Sequence, residues 1–122
     1  MNKVQRFPYY AFLFILVFVG LGTTNISHAG KTYTPAQLRS MTMAGNYPKQ
    51  GKPSTKSQSI DYASCLAKVA SVIDSIRLEY PTSTIVNTKI LRIEKVWTND
   101  AAMTFSCSEL DRKLVITTAQ YI

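Results

Sequence analysis

Apolar residues are arranged along this chain in three different ways, and each arrangement predicts a different element. Residues 9–21 (YYAFLFILVFVGL) form a continuous apolar run. Across residues 60–80, Tyr62, Cys65, Leu66, Val69, Val72, Ile73, Ile76 and Tyr80 recur at spacings of three and four. That period predicts one face of a long amphipathic helix, with Asp61, Ser64, Lys68, Ser71, Ser75 and Arg77 mostly turned to water. Ser59 or Asp61 is placed to cap its start. Pro81 ends it, because the residue before a proline is pushed out of helical backbone.

Beyond Pro81 the period falls to two. Residues 82–97 are dense in Thr, Ile and Val and close on the turn signal Thr98-Asn99-Asp100. Met103, Phe105 and Cys107 then alternate with Ala102, Thr104, Ser106 and Ser108, which predicts a half-buried strand. A polar turn over residues 109–113 leads to a third strand over residues 114–121 (LVITTAQY). Ile90, Ile93 and Trp97 also satisfy helical spacing, but the β-branched content favours a strand there. The expected fold is α+β: one long amphipathic helix packed on a three-stranded antiparallel β-meander.

Residues 30–58 predict a short helix and a flexible loop, leaving an α-β-β-β domain over residues 59–122. Thr34 is a suitable N-cap and Pro35 suits the first helical position. Residues 47–58 are rich in Pro, Gly, Ser and Lys without apolar period, which predicts a linker or exposed loop.

The first apolar run is read together with its flanks. Lys3 and Arg6 precede it, a more polar segment follows, and Ser27-His28-Ala29 satisfies the small-x-small rule. Residues 1–29 therefore predict a secretory signal peptide cut near Ala29/Gly30, and a periplasmic or secreted protein. The rival is a retained membrane anchor, for which the run is short of the roughly 20 residues a spanning helix needs.

Export changes the composition that matters. The 122-residue chain has 14 Lys+Arg and 7 Asp+Glu; two of the basic residues lie in the leader, so 12 − 7 leaves a net charge of +5 beyond it. The single histidine, His28, is also in the leader. Cys65 and Cys107 are the two cysteines, and in an oxidising compartment they predict one disulfide that staples helix to sheet.

These residues narrow the chemistry. Without histidine after residue 29, Ser-His and Cys-His nucleophile systems are unsupported, and zinc loses its usual nitrogen ligand. No phosphate loop, haem motif or calcium loop is present, so no cofactor or metal is expected. Carboxylates remain, and a carboxylate-dependent hydrolase is the least favoured reading, because no acidic pair stands out. Nucleic acid is not expected as a partner: Lys89 and Lys95 share one strand face while Arg92 takes the other, and +5 suits ordinary solubility.

The preferred expectation is a small exported, non-enzymatic interaction module, such as an inhibitor, an immunity-type protein or an accessory subunit, with another protein as its partner. The alternative is an envelope-associated structural component binding an anionic polymer or lipid surface through Lys49, Lys52 and Lys56. Trp97, Asn99 and Asp100 complete the candidate surface: Trp97 is either an interface anchor or a core residue, and the tip beside it can touch a partner in either case.

Overall fold

A computed structural model describes residues 30–122. The expectations for the leader, residues 1–29, lie outside the described residues. The chain order is α1 (Pro35–Met43), β1 (Ser54–Ser59), α2 (Tyr62–Ile76), β2 (Thr82–Asn87), β3 (Leu91–Trp97), β4 (Ala101–Ser108) and β5 (Lys113–Gln120). All five strands join one antiparallel sheet in the order β1-β5-β4-β3-β2.

The expected long helix on a three-stranded meander is therefore corrected to two short helices and a five-stranded antiparallel sheet. Each difference has a physical cause. Residues 82–97 contain two strands, folded back at Thr88, whose backbone N–H donates to the Leu91 carbonyl (2.9 Å). The Thr88 hydroxyl accepts from the N–H groups of Ile90 (3.3 Å) and Leu91 (3.0 Å), so a threonine side chain makes a turn that carries no Gly or Pro mark. Residues 54–59 are not loop but β1, paired with β5 from Ser54↔Thr118 to Ser59↔Lys113. All six β1 residues are exposed, so neither face of that strand demanded an apolar alternation. The helix itself stops at Ile76, and Tyr80 joins a different cluster.

Other local signals read directly into structure. Thr34 caps α1 in a capping box with Gln37, and Pro35 opens the helix. Gly45, at φ 77°, takes the left-handed conformation just past the C-cap Ala44. Asp61 caps α2 by accepting from the Ser64 N–H at 3.0 Å.

Register fixes the path of α2. Ser59 ends β1 beside Lys113, whereas Thr82 begins β2 beside Val96, at the opposite end of the sheet and on the opposite edge. Four interstrand gaps span about 19 Å. A helix of about 22 Å crossing them diagonally, with short connections, makes the journey. Cys65, Val69 and Ile73 then bury against Val96, Phe105, Cys107 and Leu114. Full burial of each aliphatic side chain contributes roughly 1.5–3 kcal/mol. Cys65 and Cys107 form a disulfide, Cα atoms 5.9 Å apart, that ties α2 to β4.

Among the described residues the second face of the sheet is covered at one end only. There Leu38 of α1 packs with Trp97, Ala102 and Tyr121, and Tyr33 and Tyr80 close the cluster. Lys31 and Gln50 bridge to Tyr121, which holds the segment around α1 to the end of the sheet. Gly30 passes so close to the Tyr121 carbonyl that no side chain fits at that position.

Candidate functional site

Three surfaces follow from this architecture: the bare part of the second sheet face, a cleft beside α2, and a lysine-bearing edge. The bare face lies beyond the α1 cluster. Along β3, Leu91, Ile93 and Lys95 alternate with the α2-facing residues, and their partners are Ser108, Ser106 and Thr104 of β4. Ser106 and Thr104 in turn face Val115 and Thr117 of β5, while Val86 of β2 lies beside Ile93. Leu91, Ile93, Val86, Val115, Thr104, Ser106 and Thr117 are all half-buried. Among the described residues no second layer packs on them. Ile90, 47 % exposed, continues the apolar strip at the turn.

The cleft results from the diagonal path of α2, which leaves a corner of the sheet open near β2. Its wall is Leu66, Val69, Ala70 and Ile73, its floor Arg92 and Glu94, and its rim Asp74 and Arg77, enclosing about 170 Å³. Among the described residues Glu94 is the one charged residue in the buried core, 4 % exposed. Both its oxygens accept from the Thr84 hydroxyl, at 2.9 and 3.0 Å, and Arg92 Nε donates to Oε2 at 2.7 Å. At the rim Arg77 Nε stands 3.3 Å from Asp74 Oδ1. Sequence reasoning missed this group. The available signal was Arg92-Ile93-Glu94: opposite charges two apart on a strand share a face, and here that face is the one beneath α2.

The anticipated residues are placed as follows. Cys65 and Cys107 are joined. Trp97 is 5 % exposed and belongs to the α1 cluster, with its indole Nε1 lacking a hydrogen-bond partner among the described residues. Asn99 and Asp100 form the exposed β3–β4 tip, where the Asn99 carbonyl accepts from the Tyr33 N–H at 2.8 Å. Lys49, Lys52 and Lys56 are all exposed on the lead-in to β1 and on β1 itself. They share an edge of the molecule with Lys68, which donates to Gln58 at 3.0 Å. Trp97 thus does not join Asn99, Asp100 and the three lysines in one exposed site.

The titrating groups that depart from ordinary behaviour have structural causes. The Ser64 hydrogen bonds at the α2 cap lower the Asp61 carboxyl below 3.8, with a smaller contribution from Arg112. Burial, then the charge of Glu79 and Asp100, raises the Tyr80 phenol. Burial raises the Tyr121 phenol further, aided by Asp100. Tyr121 Oη donates between the carbonyls of Thr98 (2.7 Å) and Ala101 (2.9 Å). Among the described residues no group of three or more Cys, Asp or Glu is arranged to hold a metal ion, and no helix is long and apolar enough to cross a membrane. Comparison of the chain with protein-family models, curated proteins and solved structures finds no match.

Proposed function

We propose that this protein is a small exported, non-enzymatic interaction module that binds another protein through the bare part of its sheet. The observation that carries this reading is the mixed apolar and hydroxyl surface of Val86, Leu91, Ile93, Val115, Thr104, Ser106 and Thr117, which no other described element covers. Contiguous apolar surface left uncovered is a mark of an interaction site. The disulfide supports an oxidising compartment. Periplasmic or secreted placement follows from reading residues 1–29 as a leader removed near Ala29/Gly30. The non-enzymatic part rests on the lack of histidine after residue 29 and on the commitment of both Glu94 oxygens to Thr84 and Arg92.

A second reading, an envelope component that binds an anionic polymer or lipid surface, is supported by the run of exposed Lys49, Lys52 and Lys56 along the β1 edge. No carboxylate among the described residues forms an ion pair with any of them.

One experiment separates the two. The disulfide-bonded protein carries a photo-crosslinker at Val115 and is exposed to envelope and secreted fractions of its host, with and without Ile93→Glu. A single crosslinked protein that survives moderate salt and vanishes in I93E supports the interaction module. Binding that is indifferent to I93E but falls steeply with salt selects the polymer reading, because exposed charge pairs are screened within about 8 Å at physiological ionic strength. Amino-terminal sequencing of the exported protein tests the leader, and a retained Met1 overturns that part.

A further inference from the structure

The geometry points to a second site, on the face opposite the bare sheet: the cleft between α2 and β3 binds a carboxylate carried on a short aliphatic group. Two guanidinium groups flank it: Arg92, held through Nε by Glu94, and Arg77, which stands beside Asp74 at the open rim. Arg92 Nε is bound to Glu94 at 2.7 Å, and Arg77 Nε lies 3.3 Å from Asp74. Fixing Nε orients the planar group of Arg92 and leaves its two terminal nitrogens for something else, while exposed Arg77 is free to swing over the mouth of the cleft. Among the described residues neither arginine uses its terminal nitrogens in a hydrogen bond. Paired, oriented terminal nitrogens match the two oxygens of a carboxylate.

The wall defines the rest of the ligand. Leu66, Val69, Ala70 and Ile73 offer only carbon, so the body that enters beside the carboxylate is apolar. At about 170 Å³ the cleft is well below the usual 300–1,000 Å³ of a drug-sized ligand pocket, so it takes a fragment the size of one branched side chain. Two arginines and two acids sum to zero, which leaves no excess charge to attract a phosphate dianion over a monocarboxylate. The chemistry has two natural sources, a free short-chain acid or the carboxyl terminus of a peptide ending in an aliphatic residue. The site stands independently of the bare sheet face, and loss of either reading leaves the other intact.

The test is a chemical-shift titration of the disulfide-bonded protein with isovalerate, N-acetyl-leucine, isovaleramide and inorganic phosphate. Isovalerate or N-acetyl-leucine should shift the amides of Ala70, Asp74, Arg77 and Arg92 saturably, while isovaleramide should not. Tighter binding of N-acetyl-leucine identifies a peptide terminus, and tighter binding of isovalerate a free acid. Arg77→Gln should weaken either about tenfold, the worth of one charge-assisted hydrogen bond. Arg92→Lys, which keeps the charge beside Glu94 and removes the fork, should do the same. Equal shifts with isovaleramide, stronger shifts with phosphate, or no change with R77Q in a protein whose remaining spectrum is native would each overturn the proposal.

Discussion

Tyr47 lies stacked on Trp97, with ring centroids 5.3 Å apart and planes inclined by 21°. The indole is 5 % exposed and the phenol 55 %, so a residue of the lead-in loop supplies the cover that closes the α1 cluster. The Lys95 ammonium reaches the same ring, 5.5 Å from its centroid. The segment between α1 and β1 is thereby tied to the sheet by aromatic contact as well as by backbone bonds.

Tyr47→Ala should uncover that indole. Trp97 is the single tryptophan, so intrinsic fluorescence reports on it alone. Its emission should move to the red, and stability should fall by about 0.5–1.5 kcal/mol, the worth of an aromatic pair beyond its area. Tyr47→Phe keeps the stack and should leave the emission unchanged.

Reduction of the Cys65–Cys107 bond releases a loop with a sequence separation of 42. In the chain-entropy picture this costs about 4 kcal/mol, a large share of the stability of so small a domain. Urea unfolding with and without reductant should show a correspondingly lower midpoint. A loss below about 1 kcal/mol would mean that α2 is held to the sheet by packing alone.

Legibility in the sequence tracked how strongly each position had to choose a side. Cys65, Val69 and Ile73 bury one stripe of α2, and Phe105 and Cys107 one face of β4, so their periods were visible. The disulfide partners were legible for a different reason, because two cysteines allow only one pairing. β1 was not, because an edge strand outside the helix layer exposes both faces, and Ser54–Ser59 reads as polar filler. The β2–β3 hairpin was hidden because its turn is built from the Thr88 hydroxyl rather than from Gly or Pro. Trp97 could be read either way until Leu38 and Tyr47 were seen to enclose it. The cleft escaped because its walls depend on the diagonal of α2, which follows from register at two distant sheet edges, so the local run Arg92-Ile93-Glu94 marks only its floor.

Tyr121→Phe removes the donor shared by the Thr98 and Ala101 carbonyls and should cost about 1–3 kcal/mol at neutral pH. The same phenol shapes the alkaline limb. Its pKa in the fold lies above the ordinary 10.0, so the protonated form is favoured by folding. That stabilisation is complete below pH 10 and is lost as pH climbs toward the folded-state value. Y121F should therefore show a shallower decline of stability above pH 10 than the parent, with Tyr80 accounting for part of what remains. Denaturant midpoints measured across that range give both effects, and an unchanged alkaline slope would contradict the assignment.

Arg92 and Glu94 should behave unlike Arg77 and Asp74, although both are arginine–carboxylate pairs on one cleft. The side chains of Glu94 and Arg92 are 6 % and 35 % exposed, whereas those of Asp74 and Arg77 are 71 % and 55 % exposed. Removing one partner of a buried pair strands the other charge, at about 3–5 kcal/mol when fully buried; solvent reaching Arg92 lowers that to about 2–3 kcal/mol for Arg92→Met. The double substitution R92M with Glu94→Leu should recover most of the loss, because no buried charge is left without a partner. Arg77→Met should change stability by no more than about 0.5 kcal/mol, as exposed pairs do. Unfolding measurements on the parent, R92M, Glu94→Leu and the double variant form a cycle, and equal costs for R92M and R77M would mean that the Thr84 hydroxyl alone sustains the Glu94 charge. The expected inequality is also why a change at Arg77 tests ligand binding cleanly, since it alters the mouth of the cleft without disturbing its floor.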